Sequence, residues 1–265
     1  LQMLIDSKHE ILGVFTQPDK PQGRKQILTP PPVKELAEKH GIPVHQPASL
    51  KNEAALPLLQ ETQPDLIVVV AYGKILPKYV LDFARLGCVN VHGSLMPRWR
   101  GAAPIQWSVI AGDKFSGVAT MKMAEGLDTG DILLMERTEI GARETAGELF
   151  DRLSEMGADL LRDTIARLEQ GDIEGIPQEE AQATYASMLN KEMAVIDWTK
   201  SAHEIDCLIR GLHPWPVALT TLDGSRMKLF SAIPEDASGT PGTVLAADTK
   251  KGLLVACGSG ALRVM

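Results

Sequence analysis

Cysteine is scarce in this 265-residue chain, and the few cysteines present are scattered. Cys88, Cys207 and Cys257 are odd in number and form no CxxC pair, which argues against a disulfide framework and against structural zinc. No cluster of histidines, cysteines and carboxylates has metal-ligand spacing, so we expect no bound metal. Isolated cysteines are typical of a reducing compartment, and we therefore expect a cytoplasmic protein with Cys88 as a small core residue.

Long hydrophobic runs and an excess of positive charge are also missing. No apolar run is long enough to cross a bilayer and no signal-peptide pattern is present, so no membrane partner is expected. The formal net charge is −7, unlike that of a general nucleic-acid-binding protein. The acidic excess falls in residues 51–200, so a nucleic-acid ligand would have to be bound by a local patch. No GxGxxG motif follows a strand pattern, and a dinucleotide site is therefore not supported.

Helix and strand patterns alternate over the first two thirds of the chain. Residues 65–71 form a nearly continuous apolar run, as expected for a parallel strand buried on both faces. Thr145 and Glu148 form a capping box that starts a long helix ending at Gly171, and Gly157 within it allows a bend or close packing. The other predicted elements are helices over residues 1–7, 33–40, 78–85 and 104–111, and strands over 10–16, 88–92, 117–123 and 132–137. This alternation predicts an α/β domain.

The last third of the chain has a different pattern. Residues 175–200 lack sustained periodicity and are predicted to connect two domains. Ser201 and Glu204 form a second capping box, and short alternating strands with glycine-containing turns follow this helix. We therefore expect a catalytic domain over residues 1–188, a linker over 189–200 and a small β-barrel-like domain over 201–265. A doubly wound fold normally opens with a strand, so we expect the first strand to be missing here and the last domain to be truncated.

The segment from Cys88 to Gly101 carries the strongest chemical signal. Asn90 and His92 lie two residues apart at the end of an apolar strand pattern, and such residues point to the same face of a sheet. Ligands of open α/β sheets bind at the carboxyl ends of parallel strands. An amide beside an imidazole suits a reaction that places negative charge on a carbonyl oxygen. Asp128, in a glycine-flanked loop, supplies a carboxylate that could act with His92 in proton transfer.

Asn90, His92 and Asp128 resemble the catalytic residues of the folate-dependent formyltransferases. Residues 94–97 (Ser94, Leu95, Met96, Pro97), with Arg100 and Gly101 after them, look like the folate loop of that family. Met96 replaces a leucine of the usual motif, which is a volume-conserving change. The resemblance implies a Rossmann-like catalytic domain followed by a small OB-like β-barrel. It also implies direct transfer of a formyl group from 10-formyltetrahydrofolate, with residues 94–97 binding the pterin. Whether Asp128 is the base or only orients His92 stays open.

Residues 17–32 are rich in proline, glycine and basic side chains, and they are predicted to form a long loop. Loops of this length without structure are uncommon in compact domains and are often functional. The loop resembles that of family members which formylate methionyl-initiator tRNA. The resemblance implies that Lys20, Arg24 and Lys25 contact the tRNA end, with Arg24 at the key position. The alternative interpretation is that this segment is a solvated loop whose basic side chains have no binding role.

Other similarities extend over essentially the whole chain. They lie at Tyr185 and Ala186, at residues 196–198 and at residues 214–216, where Trp198 and Trp215 are expected to pack at the domain junction. Two interpretations stay open for the remaining basic residues. Arg98 and Arg100 either meet a phosphate or the folate tail, or form structural salt bridges. Four basic residues of the second domain form either a tRNA-facing strip or scattered surface charge: Arg210, Arg226, Lys228 and Arg263.

The resemblance favours a transferase that acts in translation initiation, and we expect it to be a monomer. Three rivals stay open on the sequence alone. The first is a sister formyltransferase acting on an amino sugar nucleotide or a purine precursor, which would share the same catalytic residues. The second hydrolyses the folate donor with water as acceptor. The third is a tRNA-binding module without catalysis, against which the presence of Asn90, His92 and Asp128 argues.

Overall fold

The computed structural model describes residues 1–23 and 25–264. Arg24, which the sequence places at the key position of the early loop, lies outside the described residues. In that part of the chain the α-helices are α1 (Gln2–Ile5), α2 (Pro32–Lys39), α3 (Leu56–Thr62), α4 (Lys78–Leu81), α5 (Pro104–Ile110), α6 (Ala146–Gln170) and α7 (Ala202–Gly211).

Short strands separate these helices. They are β1 (Val14–Phe15), β2 (Lys20–Gln22), β3 (Ile27–Thr29), β4 (Val44–His45), β5 (Ile67–Val70), β6 (Cys88–His92), β7 (Arg100–Gly101), β8 (Phe115–Lys122), β9 (Ile132–Glu139), β10 (Tyr185–Ala186), β11 (Ala218–Leu222), β12 (Ser225–Leu229), β13 (Ala232–Glu235), β14 (Val244–Asp248), β15 (Gly252–Ala256) and β16 (Ala261–Val264). Two single-turn 3-10 helices cover Glu180–Gln182 and Glu192–Ala194.

The chain forms two compact units, and the first contains Leu1–His92, Val118–Met135 and Met156–Glu179. Its main sheet has the strand order β5-β6-β8-β9. β6 is parallel to β5 and antiparallel to β8. One apolar cluster around Val80 and Cys88 and another around Val89 and Leu161 form the core of this unit. The mixed strands and helices confirm the predicted α/β class.

One detail of this sheet differs from the prediction. The sequence predicts that β5 is buried on both faces, but its side chains are half-buried and Val70 is 60% exposed. The reason is its place in the sheet order, because β5 is an edge strand whose ladder partner in the described structure is β6 alone. An edge strand has no neighbour on its other side to cover it.

Helix α6 begins and ends where its sequence signals indicate. The Thr145 N–H donates to the Glu148 carboxylate at 2.9 Å, and the Glu148 N–H donates to Thr145 Oγ1 at 3.3 Å. Such a cap contributes about 1 kcal/mol. At Gly157, an added Cβ would lie 2.9 Å from Val91 Cγ1. Gly157 therefore allows close packing of the helix against β6, the second of the two roles predicted for it.

The second unit contains Gly93–Gly117, Glu136–Glu155 and Glu180–Met265, of which the last residue is not described. Its carboxyl-terminal part has a two-stranded antiparallel sheet, β11-β12, and a four-stranded antiparallel sheet of order β13-β16-β15-β14. α7 opens with the predicted Ser201–Glu204 capping box, and its buried side chains, such as Ile205 and Ile209, pack in a core with residues of both sheets. This confirms the expectation of a small β domain.

The early basic segment is not the loop without structure that the sequence suggests. β2 and β3 pair as an antiparallel ribbon in which Lys20 faces Thr29 and Gln22 faces Ile27. Gly23 takes a φ of +68°, and the Gln26 N–H donates to its carbonyl at 3.3 Å. Pro21 is compatible with pairing because a two-stranded ribbon consists of edge strands. Residues 20–23 and 25–29 are called the early hairpin below.

Among the described residues, no helix is long and apolar enough to span a bilayer. Cys88, Cys207 and Cys257 are free and buried. Burial raises the pKa of the Cys88 thiol to about 12, which keeps it protonated and unreactive. Cys88 is therefore a core residue, as predicted.

Candidate active site

Strand β6 brings Asn90 and His92 to one face of the main sheet. In the ladder with β8, Asn90 lies opposite Met121 and His92 lies opposite Ala119. Asn90 is 8% exposed and His92 is 6% exposed. The alternation of the strand therefore places an amide and an imidazole side by side at its carboxyl end, as the sequence predicts.

Asp128 lies in the loop that joins β8 to β9. Its Oδ2 is 3.9 Å from the Nδ1 of His92. Both side chains are nearly buried, since the side chain of Asp128 is 14% exposed and that of His92 is 7% exposed. The backbone of Asp128 has a φ of +52°, a left-handed conformation that aspartate tolerates better than most residues. The structure therefore brings together all three residues that the sequence selects.

Neighbouring glycines allow the loop to adopt this shape. A Cβ on Gly130 would lie 1.6 Å from the carbonyl oxygen of Lys122, and one on Gly126 would lie 2.3 Å from Thr129 Oγ1. No side chain fits at position 130 without moving the backbone. The glycines that flank Asp128 in the sequence are therefore required by close packing of the loop.

A further residue touches this loop, and no sequence pattern points to it. Gln178 Nε2 donates to the carbonyl oxygens of Asp128 and Gly130 at 2.9 and 2.7 Å. Gln178 lies 50 residues from Asp128 in a segment without periodicity, so no local pattern could have identified it.

The three side chains form a coherent chemical set. An amide and an imidazole can donate hydrogen bonds to a carbonyl oxygen that gains negative charge, and a nearly covered position strengthens such contacts. An imidazole close to a carboxylate can also move a proton. The arrangement suits attack of a nucleophile on an acyl carbon without a covalent enzyme intermediate.

Residues 94–97 follow directly in the chain and belong to the second unit. Ser94 Oγ donates to the carbonyl of Arg98 at 2.7 Å and lies 3.3 Å from the sulfur of Met96. Ser94 and Met96 are buried, whereas Leu95 and Pro97 are half-buried. The buried Ser94 and Met96 side chains therefore stabilise the conformation of this loop by contacts inside it.

The base of the early hairpin is fixed by a polar network. Lys34 Nζ bonds both carboxylate oxygens of Asp19 at 2.9 and 3.0 Å and the side-chain oxygen of Gln46 at 3.0 Å. The Gln46 amide donates to Asp19 at 2.7 Å. The Gln46 and Lys34 hydrogen bonds lower the pKa of the Asp19 carboxyl. The ribbon itself leaves Lys20 and Lys25 exposed.

Comparison with known protein families shows to which family this chain belongs. Residues 1–165 match the Formyl transferase model, and residues 188–265 match that of the Formyl transferase, C-terminal domain. The chain belongs to the formyl transferase family. The predicted resemblance, enzyme class and fold class are thereby confirmed.

Relatives of this formyl transferase match it from end to end. A methionyl-tRNA formyltransferase of Ectopseudomonas mendocina is 55% identical over 264 residues, which cover 100% of this chain and 84% of that protein. A methionyl-tRNA formyltransferase of Alkaliphilus oremlandii is 51% identical over 267 residues, which cover 100% of this chain and 86% of that protein.

Solved structures share the fold of this formyl transferase. The N-formyltransferase of Helicobacter canadensis, in complex with folinic acid and dTDP-3-aminofucose, superposes with a TM-score of 0.73 at 16% identity, covering 100% of this chain and 93% of that one. HypX of Aquifex aeolicus, in complex with tetrahydrofolic acid, gives a TM-score of 0.64 at 20% identity, covering 87% of this chain and 40% of that one. At these identities the likeness concerns the fold alone.

Arg98 and Arg100 of the formyl transferase are held by carboxylates. Arg98 forms two hydrogen bonds with Asp113, at 2.7 and 3.0 Å, and its guanidinium lies 4.3 Å from the ring centre of Trp99. The Arg100 side chain is 1% exposed and bonds Glu180 at 2.8 Å. Of the two interpretations left open by the sequence, the structure supports ion pairs.

Two of the four basic residues named in the second domain are held in ion pairs in this formyl transferase. Arg210 is buried and bonds Asp206 at 2.9 Å, and Arg263 bonds both carboxylate oxygens of Glu235 at 2.9 Å. Arg226 and Lys228 are exposed on β12. Arg210 and Arg263 are therefore occupied within the fold, which leaves Arg226 and Lys228 as the exposed basic residues of this set.

The two tryptophans have different environments. Trp198 packs against the core of the β domain and donates from Nε1 to Thr220 Oγ1 at 3.0 Å. Its expected place at the domain junction stays a prediction. Trp215 is 53% exposed, which differs from the packed position expected from the sequence. No group of His, Cys, Asp and Glu within residues 1–23 and 25–264 is arranged to hold a metal ion.

Proposed function

We propose that this chain transfers a formyl group from 10-formyltetrahydrofolate to the free amino group of methionyl-initiator tRNA, in preparation for translation initiation. The observation that carries the proposal is the cluster of Asn90, His92 and Asp128 at the end of β6. The acceptor rests on the relatives named methionyl-tRNA formyltransferase, which match the whole chain at 51–55% identity.

The reaction needs no covalent enzyme intermediate. The amine nitrogen attacks the formyl carbon and forms a tetrahedral intermediate with an oxyanion. The bond between that carbon and the folate nitrogen then breaks, while the amine loses a proton and the folate nitrogen gains one. The products are formyl-methionyl-tRNA and tetrahydrofolate, so atoms and charge balance.

The side chains of the cluster match these requirements. The Asn90 side chain is buried, and its amide nitrogen can donate to the developing oxyanion. His92 can do the same or relay a proton. Asp128 either accepts the proton of the amine or orients His92 for that task, and the 3.9 Å separation is compatible with both roles.

We place the pterin of the donor at residues 94–97. A flat, polar ring is best bound by backbone donors and acceptors between apolar walls. Ser94 and Met96 are buried and shape the loop, while half-buried Leu95 and Pro97 are its side chains nearest to solvent. The loop backbone, with Leu95 and Pro97, is therefore the part that would meet the donor.

We place the tRNA end at the early hairpin. Lys20 and Lys25 are exposed, and so are the apolar side chains of Ile27 and Leu28, at 61% and 63%. Basic groups neutralise phosphates, and exposed apolar side chains on a ribbon can pack against bases. The part proposed for Arg24 rests on the sequence resemblance.

Three broader assignments complete the proposal. The catalytic domain covers residues 1–188, the linker 189–200 and the β domain 201–265. The protein acts as a monomer. It acts in the cytoplasm, where its free and buried cysteines stay reduced.

A comparison of acceptors tests the function. Purified protein and 10-formyltetrahydrofolate are incubated with charged initiator tRNA, charged elongator methionyl-tRNA, an amino sugar nucleotide, or water alone. Formylation of the initiator tRNA, with little of the elongator, supports the proposal. Donor turnover on the sugar nucleotide or on water, without tRNA formylation, would keep the catalytic cluster and overturn the acceptor.

A further inference from the structure

Gln178 stands out in an exposed segment of the first unit. From residue 174 to 179 the chain is exposed at every position except Gln178, which is half-buried. Its amide nitrogen donates to the carbonyl oxygens of Asp128 and Gly130, at 2.9 and 2.7 Å. One side chain thus bonds the backbone on both sides of Thr129.

The segment around Gln178 is firmly attached to the strand that follows the Asp128 loop. Ile132 and Ile176 form an antiparallel bridge with hydrogen bonds of 2.9 and 2.8 Å. At Gly175, an added Cβ would lie 2.6 Å from Cβ of Asp131. Residues 175–178, called the strap below, therefore lie directly against residues 128–132.

The Asp128 backbone needs such support. Its φ of +52° is in the left-handed region, which costs energy for a residue with a side chain unless the surroundings hold it. The direction of the Asp128 side chain follows from this backbone geometry, and the carboxylate lies 3.9 Å from His92. Gln178 bonds the carbonyl of the same residue.

We propose that Gln178 is a positioning residue for formyl transfer, which holds the Asp128 loop so that its carboxylate faces His92. It acts through the backbone and need not touch either substrate. The inference rests on the proposed function, since it assigns a part in that reaction. It predicts that removal of the amide donor slows the chemical step and leaves binding of both substrates unchanged.

Two substitutions separate the donor from the packing of the side chain. Gln178→Met has a similar length without a hydrogen-bond donor, and Gln178→Glu keeps the shape but replaces the amide by a carboxylate. Both are expected to lower kcat about tenfold or more, because small displacements of a catalytic group are costly. The KM values for donor and tRNA should change less than about twofold, as for loss of an interaction specific to the transition state. Wild-type activity of either variant would overturn the proposal.

A double-mutant cycle tests whether Gln178 acts through Asp128. In single-turnover experiments, Gln178→Met should slow an Asp128→Asn enzyme less than about twofold, because the carboxylate it positions is already gone. An equal loss in both backgrounds would show an independent role and overturn the proposal. Thermal unfolding and circular dichroism establish the folded fraction, and Gln170→Met, on the exposed last turn of α6, is the matched control.

A second route to the same contact applies if Asp128→Asn is too slow to measure or Gln178→Met does not fold. Gly175→Ala must push the strap away from Asp131, so it should lower kcat with unchanged KM values. Unchanged kcat in folded Gly175→Ala would contradict the role of the strap. Failure of the wild-type protein to formylate any acceptor would instead count against the proposed function, so the two failures are distinguishable.

Discussion

At the residue scale, the proposed chemistry depends on a short distance between side chains from separate parts of the sequence. Asn90 and His92 share one face of β6, and Asp128 comes from a loop more than thirty positions later, yet its carboxylate is 3.9 Å from the His92 ring. Because all three side chains are nearly covered, solvent screens their interactions weakly. Substitution of any one of them should therefore affect rate more than substrate binding.

His92→Ala tests this most simply. The variant should lower the rate of formyl transfer by roughly two to four decades, as expected when a general acid/base or an oxyanion donor is lost. Binding of tRNA, measured by filter retention, should be unchanged, since His92 is buried whereas Lys20 and Lys25 of the hairpin are exposed. His45→Ala, in the β1–β4 pair, is the matched control. Near-normal turnover of His92→Ala would remove His92 from the mechanism.

Sequence reasoning identifies Asn90 and His92 because the two-residue period of a strand is local. It identifies Asp128 because glycines mark a tight loop. It misses Gln178, whose partners Asp128 and Gly130 lie 50 and 48 positions earlier in the chain. It also misses Gln46, whose partner Asp19 lies 27 positions earlier. Such contacts follow from tertiary packing, and one sequence carries no local sign of them.

At the scale of secondary-structure elements, the early hairpin differs most from its prediction. Its proline, glycine and basic content suggests an irregular loop, but the pairing of β2 and β3 depends on residues across the turn. The long helices and central strands are predicted well because periodicity and capping boxes are strong local signals. The exposure of β5 could not be predicted, since it depends on the order of strands in the sheet.

The basic residues of the early segment, residues 17–32, are expected to affect the use of tRNA and the use of the folate donor differently. Arg24→Ala, alone or with Lys20→Ala and Lys25→Ala, should raise the KM for tRNA while leaving the KM for the folate donor unchanged. Removal of each phosphate-binding side chain should also reduce the salt dependence of tRNA binding by about one unit of log–log slope. Steady-state kinetics at several salt concentrations measure both effects. Lys39→Ala, an exposed lysine at the end of α2, is the control, and equal effects on tRNA and donor would show that the hairpin is only structural.

The polar network of Asp19, Lys34 and Gln46 at the base of the early hairpin is expected to make the stability of the fold depend on pH. Hydrogen bonds from Gln46 and Lys34 lower the pKa of Asp19 from its ordinary value of 3.8. A carboxyl with a lowered folded-state pKa stabilises the fold above its unfolded pKa, and the contribution is lost as pH falls through the folded pKa. Asp19→Asn should therefore unfold at a lower temperature than wild type at pH 7, and the difference should shrink below about pH 4.

Thermal unfolding between about pH 3 and pH 7 checks this prediction. Asp163→Asn, at an exposed position of α6, is the control and should show no such trend. A difference between Asp19→Asn and wild type that stays constant over this range would contradict a role for the charged carboxylate.

At the scale of the whole molecule, an acidic protein is proposed to bind a polyanion. The formal net charge is −7, so association with tRNA must depend on local basic groups. The second-domain arginines that bridge to Asp206 and Glu235 are occupied within the fold, which makes the early hairpin the stronger candidate. The family match over residues 1–165 and 188–265 supports one reaction for the chain as a whole.

The most direct test of the central claim is the ratio of products in one reaction. Purified protein is mixed with 10-formyltetrahydrofolate and charged initiator tRNA, and tetrahydrofolate and formyl-methionyl-tRNA are measured at the same times. Direct transfer predicts one formyl-methionyl-tRNA for each tetrahydrofolate released, and no release when tRNA is omitted. Release of tetrahydrofolate with formate, independent of tRNA, would contradict it.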